Sequence, residues 1–201
     1  MFVIWTILVT FIDVKAIGPL GSEVGFATVN GFVHQLVGVN MALYTLTDML
    51  GLVPLSVVLG FGTFGLVQWI KKKDIRKVDI DILVLGGFYV VVLTAFVLFE
   101  MFAVNYRPVL IGGVLEASYP SSTTLLSMCV MPTFAMQMNK RIKNAFVRKG
   151  VVSVTYVFTA FMVTGRLFSG VHWFSDIVGG ALFSMGVVIM YHYILTILRE
   201  K

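Results

Sequence analysis

The chain has 201 residues, 58% of them hydrophobic and 12% charged, with a formal net charge of +5 and a mean hydropathy of +0.95. Soluble domains are about half apolar and about a quarter charged. This composition therefore excludes an ordinary soluble fold and calls for lipid against the outer surface.

The predicted elements are all α-helical. Phe2 to Ile12 is apolar but short, and Asp13 and Lys15 follow it. It lacks the basic start and small-residue cleavage site of a signal peptide and reads as a short or tilted first span. Residues 13–50 form a glycine-containing segment suited to lying along the membrane surface or to capping a site. Residues 51–70 carry no charge. At about 1.5 Å per residue such a run matches a hydrocarbon core of about 30 Å. Further spans are predicted over 82–99, 123–138, 150–164 and 177–198, with Pro132 inside 123–138. Six spans result. No internal repeat or linker interrupts residues 1–201, which read as one membrane-embedded domain.

Charge sets the orientation. Lys71, Lys72, Lys73, Arg76 and Lys77 follow the second span, and Lys140, Arg141, Lys143, Arg148 and Lys149 follow the fourth. Arg199 and Lys201 follow the sixth, so 12 of the 15 Lys and Arg residues fall on one side. By the positive-inside rule that side is cytoplasmic, with both termini inside, in the cell membrane. The basic runs are thus topology signals and not a nucleic-acid patch. The single cysteine, Cys129, allows no disulfide framework, and no Cys or His spacing forms a metal or haem box, so no metal or cofactor is expected.

The outer side holds only Lys15, Arg107 and Arg166 as cations, beside Asp13, Glu23, Asp48, Glu100, Glu116 and Asp176. Arg107 and Arg166 lie where spans meet loops, where charge is costly and often functional. His172 and Asp176, four apart, share a face if the last helix begins near His172, and the carboxylate can then accept an imidazole N–H. A structural pair with a snorkelling Arg166 is the plainer alternative. Pro120, Ser121 and Ser122 begin a helix whose positive end suits an anion, or simply cap it. Together, two guanidiniums, a helix N-terminus and a His–Asp pair fit phosphoryl chemistry.

These segments resemble the three motifs of the type-2 phosphatidic acid phosphatase (lipid phosphate phosphatase) superfamily, KxxxxxxRP, PSGH and SRxxxxxHxxxD. Gly165-Arg166, His172 and Asp176 reproduce the third spacing, with Gly in place of Ser. Arg107-Pro108 matches the end of the first motif and Pro120-Ser121 the start of the second. The resemblance implies that His172 is a nucleophile forming a phosphohistidine and that Asp176 supports it. It implies that Arg107 and Arg166 clamp the phosphate and that Ser121, Ser122 and Thr123 line the pocket, with no metal.

Two positions depart: Glu100 stands for the first-motif Lys and Thr123 for the second-motif His, the family's general acid. Losing a general acid typically slows proton-dependent cleavage by about 10²–10⁴-fold. A phosphate leaving group needs the proton less than an alkoxide does, so the expected substrate is a lipid diphosphate, such as a polyprenyl diphosphate, in preference to a monophosphate. A desolvated Glu100 or Glu116 is the alternative acid. A non-catalytic lipid-binding or transport relative, and a phosphotransferase, remain open readings of the same residues.

Overall fold

The computed structural model describes residues 1–200; Lys201, one of the twelve basic residues above, lies outside them. The described chain is all-α, with helices α1 (Phe2–Phe11), α2 (Ala27–Val37), α3 (Met41–Leu50), α4 (Leu52–Lys72), α5 (Ile80–Met101), α6 (Ser122–Arg141), α7 (Ala145–Phe168) and α8 (Phe174–Glu200). Four stretches are long and apolar enough to cross a membrane: Met41–Lys72, in which α3 leads into α4 at Gly51, and then α5, α7 and α8. They turn Leu59, Val90, Val97, Val154, Val157 and Ile189 outward, the arrangement expected of a bundle solvated by lipid.

Helix α6 has twenty residues yet is not among those four, and its position explains why. It packs against α4, α5, α7 and α8 at the centre of the bundle. Shielded from lipid, it carries buried Thr123, Thr124, Ser127, Thr133 and Gln137. Thr133 Oγ1 donates to Cys129 O at 3.0 Å and Gln137 Nε2 donates to Tyr191 OH at 2.9 Å, whereas the Thr124 and Ser127 hydroxyls have no partner among the described residues. Around them Leu85, Phe88, Val92, Leu125, Val130 and Leu195 form the apolar core between α5, α6 and α8.

The segment expected to be a first span is shorter than a span. Ten residues rise about 15 Å. Trp5 Nε1 donates to Ser175 O at 3.1 Å near the start of α8, and the Phe2 ring lies 5.2 Å from that of Phe183, part way along it. The described α1 therefore accompanies α8 over part of its length.

The basic runs meet at one end of the bundle. Buried Asp81 pairs with Lys140 and with Arg199, whose Nη2 lies 3.0 Å away. Asp79 receives Lys72 and Arg141, each at 3.6 Å. At the opposite end α2 and α3 fold over the loops that follow α5 and α7. Of the two expectations for residues 13–50, capping describes α3, which packs along α7, with Asn40 N donating to Ser169 O at 2.9 Å.

Candidate active site

Two loops and three helix ends make a polar, buried centre at the end away from the basic cluster. The first loop joins α5 to α6 and is a hairpin held by the antiparallel bridge Tyr106↔Ala117. Arg107 N donates to Glu116 O at 3.0 Å, and Ser118 N donates to Asn105 O at 2.9 Å. Its tip turns at Gly112 and Gly113, with φ of 59° and 82°, a left-handed pair that glycine adopts without strain. The second loop joins α7 to α8 through Gly170, at φ 66°. A Cβ there would sit 1.8 Å from Gly38 O, so only glycine lets the α2–α3 connection approach this closely.

His172 lies two residues before α8 begins and is buried. Its Nδ1 is 3.0 Å from Ser118 Oγ and 3.2 Å from Ser118 O. Its Nε2 is buried without a hydrogen-bond partner. The direct His172–Asp176 hydrogen bond expected from the four-residue spacing is not formed: Nδ1 and Oδ2 are 4.0 Å apart. The reason is that His172 sits before the helix and not on its face, and Ser118 stands between the two side chains. Ser118 Oγ donates to Asp176 Oδ2 at 2.5 Å, Trp173 N donates to the same oxygen at 3.0 Å, and Asn105 Nδ2 donates to Oδ1 at 3.1 Å.

The two arginines flank the ring of Tyr44 on α3, with Cζ atoms 5.7 Å (Arg107) and 4.9 Å (Arg166) from its centroid. Arg166 Nη2 donates to Asp48 Oδ1 at 2.7 Å and to Thr123 Oγ1 at 2.5 Å. Arg107 Nε is 3.1 Å from Glu116 Oε2, an ion pair too poorly aligned to be a hydrogen bond. Arg107 Nε and Nη1, Arg166 Nε, Ser121 Oγ and Thr124 Oγ1 are all buried without hydrogen-bond partners. Buried donors are rarely left unpaired unless something else binds them. Ser121 caps α6 by position, but its hydroxyl makes no capping bond and remains available.

Burial pushes the His172 imidazole well below the usual histidine range, and the nearby positive charges of Arg107 and Arg166 push it further; the Ser118 carbonyl opposes them. Burial likewise raises the Tyr119 hydroxyl to about 12, against a hydrogen bond with Thr6. Glu100 lines a narrow cleft with His172, Ser118 and Ser122. Among the described residues, no three His, Cys, Asp or Glu side chains converge to hold a metal ion.

A family model described as the PAP2 superfamily matches residues 88–199, which include both loops, α6, α7 and nearly all of α8. The chain belongs to the PAP2 superfamily. A solved structure described as the first transmembrane PAP2 type phosphatidylglycerolphosphate phosphatase from Bacillus subtilis shares its fold. The TM-score is 0.64 at 15% identity, over 96% of this chain and 91% of that one. No curated protein matches the sequence.

In this PAP2 chain His172, Asp176, Arg107, Arg166, Ser121, Ser122, Thr123, Glu100 and Glu116 all lie at the same end of the bundle. Ser118, Asn105, Tyr44 and Asp48 have no role in the expectations from sequence, although Asp48 stands among the outer acids. Asn105 and Ser118 each stand two residues ahead of a recognisable pair, Arg107-Pro108 and Pro120-Ser121. Nothing in their residue types marked them. Tyr44 and Asp48 lie in the segment whose position the sequence left undecided.

Proposed function

We propose that this protein is a membrane lipid phosphatase whose His172 attacks the phosphorus of a lipid phosphate or diphosphate. The observation that carries the reading is a bare, buried imidazole nitrogen in a centre where Arg107 and Arg166 also present unpaired N–H groups. An anion bound there would pair these donors. Nε2 forms a bond to phosphorus as the P–O bond to the lipid breaks and the lipid oxygen leaves with the electron pair. A water oxygen then attacks phosphorus, the N–P bond breaks with its pair returning to Nε2, and the water proton is released. The guanidiniums hold the equatorial oxygens while charge moves between the apical groups.

Thr123 accepts a hydrogen bond from Arg166, and its hydroxyl, unlike an imidazolium, is far too weak an acid to protonate a leaving group at neutral pH. This supports a lipid diphosphate such as a polyprenyl diphosphate, whose leaving phosphate is already a stable anion. Of the two carboxyls considered as acids, Glu100 is the better placed, because it lines the cleft beside His172 whereas Glu116 faces Arg107. The path uses only side chains and needs no metal. With the basic end cytoplasmic, the site faces outward at the cell membrane and the end of α8 lies inside. Helix α1, the short first membrane segment, points its amino-terminal end towards the same inner side.

The test is phosphate release by detergent-purified protein, with chelator, from polyprenyl diphosphate, phosphatidate and phosphatidylglycerol phosphate. Release should be fastest from the diphosphate and fall to background in His172→Ala. Release that survives this substitution overturns the mechanism, and equal or faster turnover of phosphatidate overturns the diphosphate preference. Binding of all three lipids without release would favour the non-catalytic reading, which Thr123 at the acid's position keeps open. Transfer of phosphate to an added lipid alcohol would favour the phosphotransferase.

A further inference from the structure

We propose that Ser118 is a positioning residue that links Asp176 to His172 through its hydroxyl, fixing the imidazole tautomer that leaves Nε2 bare. This rests on the phosphatase reading only for its kinetic consequence; the tautomer follows from hydrogen-bond bookkeeping alone.

A serine hydroxyl carries one proton. At 2.5 Å from Asp176 Oδ2 that proton is committed to the carboxylate, because a charge-assisted bond outcompetes a neutral one. Ser118 Oγ can then only accept at its second contact, His172 Nδ1, 3.0 Å away. The other atom facing Nδ1 is the carbonyl oxygen of the same residue, at 3.2 Å, and it too can only accept. Two acceptors facing one ring nitrogen require that nitrogen to be protonated. A neutral imidazole has one N–H, so Nε2 holds a lone pair. This is the nitrogen that lies buried and unpartnered.

The link also carries charge. Asp176 is 4.0 Å from Nδ1 and is held by Ser118, Asn105, the Ser175 hydroxyl and the Trp173 amide, so among the described residues the Ser118 hydroxyl is its only hydrogen-bonded route to the ring. Through it the carboxylate stabilises positive charge that develops on His172. Arg107, from the loop after α5, and Arg166, from α7, oppose that charge. Glu100, on α5, borders the same cleft, while Glu116 and Asp48 face the arginines. The Ser118 main chain is set by Asn105, so one hairpin delivers two of the side chains that hold Asp176.

Two measurements test this. The first needs no turnover: ¹⁵N spectra of histidine-labelled protein in detergent, with His172→Ala to assign the signal among three histidines. The expected result is the Nδ1–H tautomer at neutral pH in the native protein and a mixture in Ser118→Ala. A native Nε2–H tautomer overturns the proposal, whatever the activity. The second is kinetic. Ser118→Ala should lower kcat by about 10- to 100-fold, within the range of a positioning contact, with KM little changed. The acid limb of kcat/KM should move to lower pH, because the imidazole loses its link to the carboxylate. Ser118→Thr should restore most of kcat, and Ser118→Cys, which keeps the volume but donates weakly, should behave like Ser118→Ala. Combined with Asp176→Asn, Ser118→Ala should add no further loss. An unmoved acid limb with additive losses reduces Ser118 to packing and overturns the proposal. Failure of His172→Ala to abolish release would instead strike the phosphatase reading and leave the tautomer result standing.

Discussion

At the scale of single residues, the site is organised around a histidine kept neutral. Burial first, and then Arg107 and Arg166, hold the His172 imidazole well below its ordinary value near 6.5. The sign follows directly. Protonation removes the attacking lone pair, and a lowered value keeps that lone pair free at pH where an exposed histidine is already half protonated. The acid limb of kcat/KM, which reports the free enzyme, should therefore lie below pH 6.5; an acid limb at pH 7 or above would count against this environment for His172. The spacing of Arg166, His172 and Asp176 was legible because all three lie within eleven consecutive residues. The role of Ser118 was not, since it lies 54 residues from His172 and its contact exists only after the hairpin folds back. The expected dyad differs from the observed one by one hydroxyl because His172 precedes the helix, so helical spacing does not bring it onto the face of Asp176.

At the scale of elements, small residues decide how closely the site's supports can pack. Gly179 and Gly180, on α8, let Tyr119 and the start of α6 approach closely beside the site. A Cβ on Gly179 would come 2.5 Å from Cε2 and 2.7 Å from Cζ of Tyr119, a ring that is itself buried. One on Gly180 would come 3.2 Å from Ser121 O. Tyr119 is the neighbour of Ser118, so crowding its ring displaces the link to Asp176. Gly179→Ala should destabilise the protein by about 1–3 kcal/mol, as overpacking does. A thermal melt in detergent would show this, together with a loss of phosphate release; an unchanged melt and rate would show that the ring has room to move. The central helix α6 illustrates the converse. Its buried threonines and Gln137 lower its apolarity, and they are tolerated because neighbouring helices, not lipid, surround them.

At the scale of the whole molecule, charge is separated along the bundle. Lysines and arginines converge on Asp79 and Asp81 at one end, and Arg107 and Arg166 with the partly or fully exposed Asp48, Glu100 and Glu116 mark the other. Labelling with a membrane-impermeant maleimide tests the orientation, with buried Cys129 giving little background. Val114→Cys, exposed on the α5–α6 hairpin, should react in intact cells, and Lys143→Cys, exposed between α6 and α7, only after permeabilisation. The reverse pattern would invert the proposed topology. The apolar runs, the basic loops between them and the third-motif spacing were determined by sequence alone, because lipid solvation, loop charge and helix periodicity all act over short stretches of chain. Only the tertiary structure decided that α1 lies alongside the first part of α8, that α6 is the shielded centre, that α3 brings Tyr44 and Asp48 onto the arginines, and that Ser118 joins His172 to Asp176. Each of these depends on contacts between segments far apart in the chain, and local pattern carries no record of which segments will meet.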